Sequence, residues 1–349
     1  MIEIHGPTYR YNGEKLTKPE IMFVNDHHYD EEAHCFHIEK LLENSVCDPK
    51  LHTLVFDHVL HDDALNKYNC ICLPMFLAVE AEEFRKQEIT LDWNKKTHLF
   101  NFSINKPRIH RQLLLKEIKR LELKNYTYSL PWKTNNINDI PVTDYKFGPE
   151  VCLEQGIRNG NFKNGETYKH LLKESVYEPS CISIITEPLY YEREAFATEK
   201  SYMAMFGGTF PIWFGGWKIP QSMRDLGFDV FDDIIDHSYE TLSDPYERCV
   251  NSLLYNQHLF KDIENLKNLL LKNTSRLLHN VELIKDNVFL KECLRQADLH
   301  QGPVRTELLK FIPSFRNGTF TVFMEDFNNH KVLGSEAFDT RYDKSMLKQ

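Results

Sequence analysis

Residues 181–187, Cys181-Ile182-Ser183-Ile184-Ile185-Thr186-Glu187, form an apolar, β-branched run that ends on a carboxylate and is followed by Pro188. This is the pattern of a strand buried on both faces of a parallel sheet; a strand with one wet face would alternate polar and apolar residues. A helix then begins near Thr198, whose hydroxyl suits an N-cap, and Gly207-Gly208 ends it. Residues 209–214 form the next buried strand, closed by Gly215-Gly216.

The same grammar extends in both directions. Upstream, Thr97-His98-Leu99-Phe100-Asn101-Phe102-Ser103 reads as a strand and Ile104-Asn105-Lys106-Pro107 as a turn. A helix follows from about residue 108 to 123, with leucines at 113, 114, 115, 121 and 123 on its apolar side. Residues 126–130 are the next strand candidate. Strand, loop and helix in succession build parallel sheets. Residues 132–167 are rich in Asn, Asp, Gly and Lys without periodicity and read as an insertion or long loop. Downstream, a helix is expected over 220–226 and helical pattern over 244–297 with a break near Asn273, then a hairpin over 319–324 and 331–334. Within the first 90 residues, 20–25 and 52–60 read as strands, 34–42 as a helix, and 70–79 as an apolar run broken at Pro74. The stretch 84–95 is the expected crossing between lobes. The expected fold is therefore α/β, with lobes at 1–92 and 93–300 and a tail at 301–349.

Bulk composition limits the function. The chain has 349 residues, 42% hydrophobic and 27% charged, so it has the length of two ordinary domains. A formal net charge of −9 argues against a protein that mainly coats nucleic acid, while leaving room for a local basic groove. No stretch approaches the roughly 20 apolar residues of a membrane span. Met1 is followed by Ile2-Glu3-Ile4-His5, not by a basic start and apolar core, so a cytoplasmic location is expected, host cytoplasm if viral. The eight cysteines are scattered without a C-x-x-C pair and read as free thiols. The richness in Asn, Lys, Tyr and Phe is a compositional hint of an AT-rich genome.

Two strand endings carry the chemistry. In open α/β sheets, anionic ligands lie beyond the carboxyl ends of the strands, where helix N-termini present free N–H groups. After 97–103 the chain carries Arg108, His110 and Arg111 at a helix start; after 181–186 it carries Glu187, then Glu199 and Lys200 in the first turn of another helix. A base in the first turn opposes the helix dipole and asks for a reason. Two cation sets and a carboxylate at two strand ends are what a departing diphosphate and a ribose need.

Residues 187–215 resemble the donor-binding motif of the α1,3-fucosyltransferase-like GT-B enzymes: a strand ending in Glu, an aromatic, Thr198-Glu199-Lys200, a helix with small residues, then Pro211-Ile212-Trp213-Phe214-Gly215. The likeness is closer still to glycosyltransferases of phages and giant viruses, through Arg224-Asp225-Leu226-Gly227-Phe228 and Asp236-His237-Ser238-Tyr239-Glu240. It spans about residues 98–260. The resemblance implies a GT-B-like fold of two Rossmann-like lobes around a cleft with a helical C-terminal part. Residues 1–92 would be the acceptor side, and 93–300 would bind a UDP- or GDP-sugar, with no other cofactor. By position, Glu199 would hold the ribose hydroxyls, and Lys200, with Arg111 or Arg108, the diphosphate. Phe196 stands where the fucosyltransferases carry Tyr, without the phenolic hydroxyl. The implied reaction is inverting and metal-independent, with hydroxymethylated pyrimidine in DNA, or a cytoplasmic glycan or protein, as acceptor. A non-catalytic sugar-nucleotide-binding protein is the alternative.

The general base is sought in the loop after the first long strand, at Asp26 or His28, with Asp57, His58, His61 and Asp62 competing. His27, His28, His34 and His37 are too loosely spaced for a recognised metal set, and no metal is expected. Asp229, Asp232 and Asp233 resemble a GT-A acidic motif but sit in an acidic run, which reads as surface. Trp213, Phe214 and Trp217 read as core before they read as a sugar pocket.

Overall fold

The computed structural model describes residues 91–104, 109–129, 176–187 and 194–302, and, outside these, 4–5, 21–24, 53–56, 59–62, 70–74, 77–78, 81, 89, 304–306 and 308–309. The expectations for 34–42, 132–167 and 319–334 lie outside the described residues, as do those for Asp26, His28 and Arg108. Two compact units make up the chain: Met1–Glu80 with Val288–Gln349, and Ala81–Asn287. The sequence put these divisions at 92/93 and 300/301.

The first unit holds four parallel strands, β1 (Ile4–His5), β2 (Ile21–Val24), β3 (Thr53–Phe56) and β5 (Cys70–Cys72), paired in that order. The run read as one strand over 52–60 is two, because β4 (Val59–Asp62) is a separate element outside this sheet.

The second unit is built on β6 (His98–Ser103), β7 (Tyr126–Ser129), β8 (Ser180–Ile185) and β10 (Phe210–Trp213), with the short β9 (Glu194–Phe196) preceding a helix. The four strands are parallel in the order β10-β8-β6-β7. The sheet thus starts at β6, adds β7 on one side, then returns to add β8 and β10 on the other. This is the doubly wound pattern, and its switch point lies between β6 and β8.

Side chains alternate across the sheet as the strand period requires. Phe100, Phe102, Ile182, Ile184, Phe210 and Ile212 are buried in one core cluster with Leu266 and Leu270. There Phe100 meets Phe260 edge-on at 5.2 Å and Phe210 meets Phe231 at 4.9 Å. The same cluster takes Leu113, Leu114, Leu115 and Ile118 from α1 (Ile109–Arg120) and Leu253 from α4 (Pro245–Leu254). The other face is unusually polar. Asn101 Nδ2 donates to Ser183 Oγ (2.9 Å), Ser183 Oγ and Thr209 Oγ1 share a bond (2.7 Å), and Thr209 Oγ1 donates to the Ala204 carbonyl (2.7 Å). These small hydroxyl residues let α2 (Glu199–Phe206) lie close on the strands. Gly207 ends α2 where a Cβ would stand 2.6 Å from Tyr177 Cβ.

The expected helix over 220–226 is α3 (Ile219–Asp225). The helical stretch expected after 244 is broken more often than its pattern suggests. After α4 come a 3-10 segment (Gln257–Lys261), α5 (Ile263–Lys272) and α6 (Thr274–Lys285), with Asn273 closing one helix and opening the next. In the first unit, α7 (Val288–Asp298) buries Phe289, Cys293 and Ala297 along one stripe. Among the described residues, no helix is long and apolar enough to cross a membrane.

Candidate functional site at the carboxyl ends of β6 and β8

The two strand ends that flank the switch point are tied together and then covered by α1. Thr186 Oγ1, just past β8, donates to the Ser103 carbonyl at the end of β6 (3.1 Å). From the first turn of α1, Arg111 Nη2 donates to the Thr186 carbonyl (3.1 Å) and His110 Nε2 to the Glu187 carbonyl (2.8 Å). A carbonyl only accepts, so His110 carries its proton on Nε2 in this contact. Both side chains are buried, and both clamp the backbone that leaves β8.

Glu187 organises the next layer. Its carboxylate accepts from the Thr198 backbone N–H (3.0 Å), Thr198 Oγ1 (2.5 Å) and Ser201 Oγ (2.6 Å). A carboxylate that is 3% exposed is stable here because three donors and the positive pole of α2 replace its water. Thr198 is the residue before α2, as the sequence suggests, but its hydroxyl does not cap the helix it precedes. It donates to Glu187, the stronger acceptor, and leaves the Glu187 carboxylate to meet the Thr198 backbone N–H.

Lys200 lies two residues further, 7% exposed, with Nζ donating to Thr198 Oγ1 (3.2 Å) and Glu199 Oε1 (3.2 Å). His110, Arg111, Glu187, Glu199 and Lys200 are therefore linked through one set of bonds at the end of β8. Tyr177 belongs to the same neighbourhood: burial first, and then the charges of Glu199 and Glu187, push its phenol well above the usual range, against a hydrogen bond with Ser103. Phe196 ends β9.

The network continues to the end of β10. Trp213 Nε1 donates to Ser201 Oγ (2.8 Å), and the Trp213 backbone N–H donates to Tyr239 Oη (3.1 Å). Tyr239 Oη meets His237 Nδ1 (3.2 Å), and His237 Nε2 donates to the Val230 carbonyl (2.9 Å). Burial holds His237 neutral and moves its pKa down to about 4. Trp213, Phe214 and Trp217 are buried core, the reading the sequence favours for them.

The acidic run is organised by arginines. Arg276 pairs with Asp229 and Asp233, and Arg224 with Asp232 and Glu240. Hydrogen bonds from these guanidiniums hold the Asp232 and Asp233 carboxyls below their ordinary range. An open groove of about 590 Å³ beside Asp236 and His258 is lined by the Arg224 pairs with Asp232 and Glu240, and by Asp233. Among the described residues, no group of three or more His, Cys, Asp or Glu is placed to hold a metal ion.

Sequence reasoning did not find Thr186, Ser201, Tyr177 or the burial of Gln112 (2% exposed). Their roles come from contacts across the sheet, and a periodicity signal carries none of these. The strand endings were the available pointer. Comparison with known proteins finds no matching family model, no matching curated protein and no matching solved structure.

Proposed function

We propose that the chain is a nucleotide-sugar-dependent glycosyltransferase of GT-B-like architecture, with the donor diphosphate received at the carboxyl ends of β6 and β8. One observation carries this reading. Lys200, a cation in the first turn of α2, sits at the positive pole of a helix whose other end-charges obey the dipole, within one bond network of Arg111 and His110 at a switch point. A phosphate arriving there would compete with Glu199 for Lys200 and would meet the N–H groups at the starts of α1 and α2.

The reaction proposed is a direct displacement with inversion. A base takes the proton of the acceptor hydroxyl, its oxygen bonds to the anomeric carbon, and the bond from that carbon to the β-phosphate oxygen breaks. The electron pair leaves with the diphosphate, which Lys200 and Arg111 stabilise. Asp26 or His28 would supply the base, and Glu199 the grip on the ribose. A UDP- or GDP-sugar is the donor class, and hydroxymethylated pyrimidine in DNA or a cytoplasmic glycan or protein the acceptor class.

The test is Lys200→Ala, assayed by transfer from UDP- and GDP-sugars. Removing one preorganised charge from a departing anion costs on the order of 10²–10³ in kcat. Retained transfer in a folded Lys200→Ala protein would refute the assignment. Engagement of Lys200 Nζ by Thr198 and Glu199 favours a second reading, a non-catalytic sugar-nucleotide-binding protein. Binding of a donor by the wild type without transfer or hydrolysis selects it.

A further inference from the structure

Gln112 lies on α1 one position after Arg111, and it does not belong where helical spacing would leave it. Residues 112, 116 and 119 share one helix face, and Lys116 and Lys119 on that face are exposed. Gln112 is 2% exposed, and neither its Nε2 nor its Oε1 has a hydrogen-bond partner. Buried carboxamides are almost always partnered, so an amide shielded from water with both ends unpaired calls for an explanation. Helix side chains lean toward the N-terminus, which aims this amide at the first turn of α1. The N–H groups of that turn lack intrahelical acceptors, and the turn covers the ends of β6 and β8.

The chemistry of the missing partner follows from what the amide offers. Phosphate oxygens can satisfy the Nε2 donors but leave Oε1 without a hydrogen, because a phosphate diester or diphosphate bears no spare donor. A pair of neighbouring hydroxyls accepts from Nε2 and donates to Oε1 at once. We propose that Gln112 is a ligand-contacting residue that reads a vicinal diol attached to the anion, an inference that rests on the sugar-nucleotide reading of this site. The diol belongs either to the ribose or to the transferred sugar.

Gln112→Met keeps the shape and removes both polar ends. Titration calorimetry on wild type and variant would use inorganic pyrophosphate, UDP and GDP, their 2′-deoxy forms, UDP-glucose and GDP-mannose. Pyrophosphate should bind both proteins alike, while ligands that carry the diol being read should bind the variant at least about tenfold more weakly. If the ribose is read, wild type prefers UDP or GDP to the deoxy forms and the variant loses the preference. If the transferred sugar is read, the preference lost is for the sugar nucleotide over the free diphosphate. Equal affinity of both proteins for every nucleotide would overturn the Gln112 assignment and leave the sugar-nucleotide reading standing. Weakened pyrophosphate binding by the variant would overturn the diol. Failure of the wild type to bind any of these ligands would end the underlying reading, and this inference with it. The ligand-free variant should melt at or above the wild-type temperature; a drop of several degrees would show that the amide is already held in the free protein and would sink the proposal.

Discussion

The two ends of α2 make a controlled comparison. At its N-terminus a buried carboxylate, Glu187, accepts from Thr198 and Ser201; at its C-terminus a buried ammonium, Lys96, donates to the Ser180 carbonyl (2.8 Å) and the Gly207 carbonyl (2.9 Å). Each charge sits at the pole of the helix that favours it; Lys96 also binds the start of β8, and Glu187 follows its end in the chain. The helix is clamped to the sheet by opposite charges in the places electrostatics would choose. Lys200 is the exception, a cation at the positive pole balanced by Glu199. Charges that obey the dipole are explained by holding the fold together, and the one that opposes it is not.

Breaking the N-terminal clamp should have the largest effect. Glu187→Ala leaves three buried donors without an acceptor, and unfolding by urea should show a loss of about 3–5 kcal/mol. The network next to that clamp sets an acid limit of similar size. His237 has a folded pKa near 4 against about 6.5 when unfolded, so the unfolded chain takes up the proton first. Its contribution is complete above about pH 6.5, falls as pH drops toward 4, and amounts to about 3 kcal/mol. The difference between wild type and His237→Gln across that window isolates it, because Asp232 and Asp233, with lowered pKa values, lose stability from the ordinary carboxylate range downward in both proteins alike. Opening the C-terminal clamp with Lys96→Met should cost about 2 kcal/mol by leaving two carbonyls short of a donor. Lys200→Ala removes two long hydrogen bonds but also a cation that opposes the dipole, so it should cost no more than about 1 kcal/mol, less than either clamp. A large stability loss there would make Lys200 a third clamp and remove the contrast.

Much of the second unit is legible along the chain. The runs at 97–103, 126–130, 181–186 and 209–214 are strands in the structure within a residue or two at each end, and the helices near 108 and 198 begin as their starts suggest. Local signals suffice because each run is rich in β-branched and aromatic residues and is flanked by turn-forming or polar stretches. What periodicity could not supply was the order of the strands, which depends on β6 finding β8. Nor could it distinguish Lys96 from its neighbours: Asn94-Lys95-Lys96 reads as an ordinary polar turn, yet Lys95 is exposed and Lys96 is 2% exposed. Gln112 reads as surface from its spacing with Lys116 and Lys119. Glu187 was found as a strand-end carboxylate, but its bonds to Thr198 and Ser201 are visible only once the sheet brings α2 over β8.

The central place of β6 also has a consequence on the ribosome. Its register with β8 joins residues 82 positions apart, as in the Asn101 to Ser183 contact. At about 5–20 residues per second, synthesis leaves one edge of β6 waiting on the order of 4–16 seconds for its second neighbour. During that interval Phe100 and Phe102 are without Ile182 and Ile184 beside them. Slowing elongation between codons 104 and 180 should therefore raise aggregation of nascent chains, whereas slowing it after residue 287, when the helices that cover Phe100 have also been made, should not.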